Sequence, residues 1–98
     1  MKKTDIITKE KLDKYFSVTK AGLDKIKIAP PMHTHLYKAA EDYLDMAKRY
    51  YNDAEHFMEK GDYVNAFAAL NYAHGWLDAG ARIGLFDVGH DSGLFTVD

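Results

Sequence analysis

The 98-residue chain contains no cysteine, only two prolines and a single tryptophan. Without cysteine it can form neither a disulfide nor a thiolate metal site, and it has no thiolate nucleophile. No apolar run reaches the roughly 20 residues that cross a bilayer, and the opening residues MKKTDIITKEK lack the apolar core of a signal peptide. These absences predict a cytoplasmic, soluble protein with no membrane partner.

The first 28 residues have few acidic side chains, and the rest of the chain has few basic ones. Residues 1–28 carry eight lysines and four acids, whereas residues 29–98 carry five basic and eleven acidic side chains. A basic segment can bind nucleic acid. Here the lysines are spread around a predicted helix and include no arginine. We therefore favour a lysine-rich helix that lies across an acidic hairpin, and nucleic-acid binding is the disfavoured alternative.

The composition is that of a folded globular protein, with 47% hydrophobic and 29% charged residues. A chain of this length suits one domain with a modest core. We expect residues 1–98 to form a single helical-bundle domain.

The clearest local signal is a helical hairpin that turns at Lys60, Gly61 and Asp62. Glycine adopts the left-handed conformation that follows many helix ends, and a lysine beside it complements the helix dipole. Asp62 is suited to cap the next helix, because its carboxylate can accept from the free N–H groups of the first turn. One helix ends where the next begins, so the two should run antiparallel and in contact.

Apolar residues spaced three and four apart predict three helices, over about 9–27, 32–60 and 63–85, and an irregular tail over 86–98. Thr8 can cap the first helix, and Pro31 fits the first turn of the second. The second helix is the long central one. Its wide apolar seam, which includes Leu36, Tyr43 and Tyr50, should contact both other helices. The predicted fold is all-α, a three-helix up-down-up bundle.

The third predicted helix has very little charge. Between Tyr63 and Phe86 only Asp78 and Arg82 are charged. A helix with so few charges is usually covered on more than one side.

Small residues line two sides of this helix. Ala66, Ala73 and Gly80 recur every seventh residue, which should let a neighbouring backbone approach closely. On another side, Tyr72, Gly75 and Ala79 suit the docking of a helix from a second copy or a partner protein. Covering of this side by the C-terminal tail of the same chain is an equal alternative.

The hairpin sequence EKGDYVNAFAALNYAHGWLDAGARIGLFDV resembles a small archaeal family catalogued as domain of unknown function 357. The similarity covers about residues 35–97. Its most specific parts are Gly61-Asp62-Tyr63, the stretch 72–80 and Leu94-Phe95-Thr96-Val97. The resemblance implies a spectrin-repeat-like three-helix bundle and no known activity. It also implies a context near nucleotide-transferring enzymes, to which some relatives are fused or adjacent.

The histidines give no metal or catalytic signature. His33 and His35 could share a metal ion, but no third ligand is near them in sequence, so no metal site is predicted. His56 lies on the polar side of the second helix, opposite the apolar seam. The chain shows neither a nucleophile–base set nor a glycine-rich phosphate loop. We therefore expect no catalytic residue and no cofactor.

His74 and Asp78 are one helical turn apart, and a carboxylate partner can tune an imidazole for acid–base work. With Arg82 they define the alternative function, a small-ligand or nucleotide-handling accessory domain. A histidine at the edge of the core is more often a boundary residue that is simply hydrogen-bonded.

The sequence favours a non-enzymatic helical interaction module, with a homodimer through the third helix as one form. The expected partner is another protein or a second copy. The candidate binding residues are Tyr72, His74, Gly75, Trp76, Asp78, Ala79 and Arg82.

Overall fold

A computed structural model describes residues 4–89 of the chain. It contains three helices and two short strands: α1 (Lys9–Lys25), β1 (Lys27–Ile28), α2 (His35–Glu59), α3 (Tyr63–Arg82) and β2 (Phe86–Asp87). The prediction of an all-α three-helix bundle is confirmed. Residues 90–98, which include most of the predicted tail, lie outside the described part.

Two buried clusters show how the helices are directed. The hairpin-end core brings together Leu12, Ala54, Ala66, Ala69 and Leu70. The far-end core contains Ala40, Ala47, Leu77, Ala81, Leu85, Phe86 and Val88, with Leu23 and Ile26 packed against it. The start of α1 therefore meets the end of α2 and the start of α3. This is the predicted up-down-up arrangement.

The helix whose backbone lies close to both of the others is α3 rather than α2. The backbone of α1 approaches α3 closely and lies farther from α2, with which it makes contact through longer side chains. The rings of Phe16 and Tyr51, for example, meet edge to face with centroids 5.7 Å apart. The sequence predicted that α2 would contact both neighbours, and it does.

The turn between α2 and α3 has the predicted geometry. Gly61 has a φ of 76°, and the Asp62 N–H donates to the Phe57 carbonyl over 2.9 Å. The Asn65 N–H in turn donates to the Asp62 carboxylate over 3.2 Å. One motif closes α2 and the same residue caps α3, which fixes the hairpin that positions the exposed side of α3.

The start of α2 differs from the prediction. The helix begins at His35 instead of residue 32, because Thr34 is its cap and accepts from the Tyr37 N–H over 3.1 Å. His33 has a φ of 67°, which no helix residue adopts. Leu36 was predicted to lie on the buried seam, but it is 63% exposed because it lies in the first turn of the shortened helix.

The end of α3 is held by a feature that the sequence did not predict. Gly84, with a φ of 84°, ends the helix at Arg82 rather than at residue 85. The chain then forms β2, which pairs antiparallel with β1: Lys27 faces Asp87 and Ile28 faces Phe86. This β1–β2 pair also explains why α1 stops at Lys25 instead of residue 27.

Candidate functional site

The side of α3 that faces away from α1 and α2 is exposed and almost uncharged. We call it the outer face; its residues are Val64, Ala68, Asn71, Tyr72, Gly75, Ala79 and Arg82, with Ile83 directly after the last helical residue. Only Arg82, in the last turn, is charged. The three large apolar side chains are well exposed, Val64 at 70%, Tyr72 at 62% and Ile83 at 63%. Within the described chain, this side of α3 is open to solvent.

A shallow apolar groove of about 600 Å³ runs between the outer face and α2. It is lined by Tyr43, Ala68, Asn71, Tyr72, Gly75, Trp76 and Ala79, none of which is charged. The alanines and the glycine form its low part, because they project little beyond the helix backbone. Asn71 supplies its side-chain amide. The groove can therefore accept apolar side chains and offers few groups for recognising an ion.

Aromatic side chains from α2 brace the groove. The rings of Tyr43 and Trp76 meet edge to face, with centroids 4.9 Å apart and an angle of 84° between their planes. Tyr50 stacks on Tyr72 at 5.1 Å with an angle of 18°. Both arrangements are favourable for aromatic pairs. They hold Trp76 and Tyr72 in place, so the groove is largely preformed.

The structure brings four of the seven predicted binding residues together. Tyr72, Gly75, Trp76 and Ala79 line the groove. Arg82 is exposed one turn beyond Ala79, on the same outer face. These residues form one continuous surface at the C-terminal half of α3.

His74 and Asp78 do not line the groove. Successive helix residues turn by about 100°, which places Asp78 between the groove-lining Asn71 and Phe67, and His74 on the far side of Phe67. That ring contacts Tyr15 of α1, with centroids 4.9 Å apart. Both residues are half-buried, and the Nδ1 atom of His74 is buried. The pair therefore lies beside the groove, with Asp78 closer to it than His74. The alternative function, a small-ligand or nucleotide-handling domain that uses His74, Asp78 and Arg82, stays a prediction. A thermal-shift measurement with nucleotides can test it.

Sequence reasoning missed three lining residues, Tyr43, Ala68 and Asn71. Tyr43 and Tyr50 were placed on the seam of α2 from their seven-residue spacing. The same spacing, set against Trp76 and Tyr72 across an antiparallel hairpin, would have indicated the two aromatic pairs.

Electrostatic features at other places do not converge on the groove. Burial raises the pKa of the Tyr51 hydroxyl, and the nearby carboxylates of Glu55 and Asp24 raise it further. Tyr51 faces α1, away from the groove.

Within residues 4–89, no group of three or more histidine, aspartate or glutamate side chains is placed to hold a metal ion. Both His33 and His35 are exposed at the entrance to α2.

Comparisons with known proteins identify a family but no activity. A family model described as a protein of unknown function (DUF357) matches residues 14–86. No curated protein and no solved structure matches the chain. Across the described residues, no helix combines the length and the apolar character that crossing a bilayer requires.

Proposed function

Since the chain belongs to the DUF357 family, whose description assigns no activity, we propose a function from its surface alone. The protein is a non-enzymatic helical interaction module that associates with a second copy of itself through the outer face of α3.

The observation that carries the proposal is the contrast between the exposed sides of two neighbouring helices. The exposed side of α2 is typical of a helix in water, and Arg49 there pairs with Asp45 over 2.8 Å. Its exposed charged residues are Lys38, Glu41, Asp42, Asp45, Lys48, Arg49, Asp53, Glu55 and Glu59. The outer face of α3 is equally accessible but has one charge. Contiguous apolar surface of this kind, with aromatic residues at its centre, is typical of protein interfaces.

Aromatic residues in a groove favour a protein partner over a charged ligand. Tyr72 and Trp76 are the side-chain types that most often carry binding energy at interfaces. Gly75 and Ala79 beside them leave room for another helix to approach. A second helix laid here would cover Val64 and Ile83 as well, which no contact within residues 4–89 does.

The cellular compartment of the protein and the type of organism that it comes from are part of the same proposal. The sequence predicts a cytoplasmic protein, and the family resemblance implies an archaeal source; both statements stay predictions. Covering of the groove by the predicted tail also stays open, because residues 90–98 lie outside the described part of the chain.

The test is light scattering of the wild type and of Tyr72→Glu, with Asn52→Glu as the matched control. We expect the wild type to be a dimer and Tyr72→Glu a monomer, because association would bury an unpaired carboxylate. Asn52 is exposed on α2 and does not line the groove, so the control adds the same charge and should stay dimeric. Circular dichroism checks that both variants fold. A monomeric wild type, or a dimeric Tyr72→Glu variant, contradicts the proposal.

A further inference from the structure

The apolar residues of the outer face follow a pattern that is symmetric along the helix. Val64, Ala68, Tyr72, Gly75, Ala79 and Ile83 are separated by four, four, three, four and four positions. The same spacing results when the helix is followed in reverse. The centre of the pattern lies midway between positions 73 and 74.

Residue size follows the same symmetry. The outermost pair, Val64 and Ile83, are both β-branched and both exposed. The next pair, Ala68 and Ala79, are both small. The innermost pair is complementary, because Tyr72 projects from the surface and Gly75 leaves a gap. A Cβ atom built on Gly75 meets nothing within 4 Å.

From this pattern we infer the geometry of the association proposed above, on which the inference rests. The two copies pack their α3 helices antiparallel about a two-fold axis that crosses each helix midway between positions 73 and 74. In a two-fold interface, residue i contacts j and residue j contacts i. Val64 then meets Ile83 of the second copy, and Ala68 meets Ala79. The exposed part of Tyr72, whose ring also stacks on Tyr50 of its own copy, faces the gap at Gly75.

A parallel pair would pack poorly. It would place Tyr72 against Tyr72 and Gly75 against Gly75, so that large side chains collide and the gaps stay empty. Close packing without voids is what distinguishes a stable interface from an incidental contact. The antiparallel pair avoids both faults at the centre of the pattern, where Tyr72 meets Gly75.

Charge supports the same direction. Arg82 is the only charged residue of the outer face, and the symmetry places it opposite position 65 of the second copy. Asn65 there is hydrogen-bonded to the Asp62 carboxylate over 2.7 Å, so an arginine side chain from the other copy would approach an acidic group at a helix N-terminus. In a parallel pair, Arg82 would instead face Arg82, and like charges repel.

The lack of native cysteine makes this geometry directly testable. Ala68→Cys and Ala79→Cys each place one thiol on an exposed position of α3. The two variants are mixed, equilibrated and treated with a short bis-maleimide cross-linker. The antiparallel pair predicts a covalent dimer in the mixture. Each variant alone should give none, because identical positions of the two copies are then about 16 Å apart along the helix axis.

The double variant Ala68→Cys/Ala79→Cys removes any dependence on exchange between copies and should cross-link without mixing. Efficient cross-linking of Ala68→Cys alone would show a parallel pair and overturn the inference. The inference is also overturned if the double variant gives no covalent dimer while light scattering shows that it is dimeric. Either result contradicts the antiparallel geometry but leaves the proposed self-association intact. A wild type that is monomeric by light scattering overturns the proposed association and, with it, the inferred geometry.

Discussion

Two glycines five residues apart on α3 have opposite surroundings. A Cβ atom built on Gly80 would lie 2.6 Å from Cδ2 of the Phe86 ring, so this position has no room for a side chain. The corresponding atom on Gly75 meets nothing within 4 Å. Gly80 belongs to the inner side of the helix, which packs on the rest of the bundle. Gly75 belongs to the outer face.

The difference shows that small residues on one helix can have different causes. On the inner side, Ala66, Ala73 and Gly80 are explained by the neighbours that they contact within the chain. On the outer face, Gly75 and Ala79 have no such neighbour among the described residues. Glycine within a helix costs about 1 kcal/mol relative to alanine, so an unpacked Gly75 is a cost that the isolated domain does not explain.

The largest expected effect comes from a change on the inner side. Leu77 is fully buried in the far-end core, so Leu77→Ala should lower the free energy of unfolding by about 2–5 kcal/mol. Val64→Ala removes an apolar group from the outer face and should change the unfolding free energy of the monomer by less than about 0.5 kcal/mol. Urea unfolding, followed by circular dichroism at low protein concentration, measures both. Equal losses would abolish the distinction between the two sides.

A smaller effect is expected from the two glycines. Gly80→Ala should destabilise the fold by about 1–3 kcal/mol, because the new methyl group overlaps the Phe86 ring. Gly75→Ala should stabilise the monomer by about 0.5–1 kcal/mol, since helix propensity improves and nothing is displaced. The same unfolding measurement applies. Adding Phe86→Leu to Gly80→Ala should cost less than the sum of the two single changes. Simple additivity would mean that the ring is not the obstacle.

The smallest effect concerns the side of α2 that faces α1. The pKa of Tyr51 is raised chiefly by burial, with added repulsion from Glu55 and Asp24. Its neutral form is therefore favoured in the folded state. The contribution of Tyr51 to stability is fully present below the ordinary tyrosine pKa of 10.0 and is lost as the pH rises through the higher folded value. Tyr51→Phe should show a shallower loss of stability above pH 10 than the wild type; a steeper loss contradicts the assignment.

Much of the fold could be predicted because its signals are local. The left-handed Gly61, the Asp62 cap and the Thr8 cap each depend on residues within a few positions, and all three have the expected geometry. The helix periodicity likewise gave three helices and their directions. The start of α2 was missed although its signal is local. Both Pro31 and Thr34 can begin a helix, and the hydroxyl of Thr34, which also donates to the Pro31 carbonyl over 2.7 Å, decides between them.

The parts that could not be predicted depend on contacts between distant segments. The pairing of Ile28 with Phe86 joins residues that no local pattern connects. The packing of Phe86 on Gly80 follows from that pairing. At the site, the sequence indicated Tyr72, Gly75, Trp76 and Ala79 from the smoothness of one helix. It could not show that His74 and Asp78 do not line the groove, because this depends on the rotation of α3 relative to the other helices.

The β1–β2 pair has a consequence for the motions of the bundle. The Ala29 N–H, between α1 and α2, donates to the Leu85 carbonyl, just beyond α3, over 3.0 Å. This amide can exchange its hydrogen with water only when the segments that follow α1 and α3 separate. Its deuterium uptake therefore reports the opening of that end of the molecule. Self-association along α3 should slow this uptake, although the Ala29 amide lies outside the outer face.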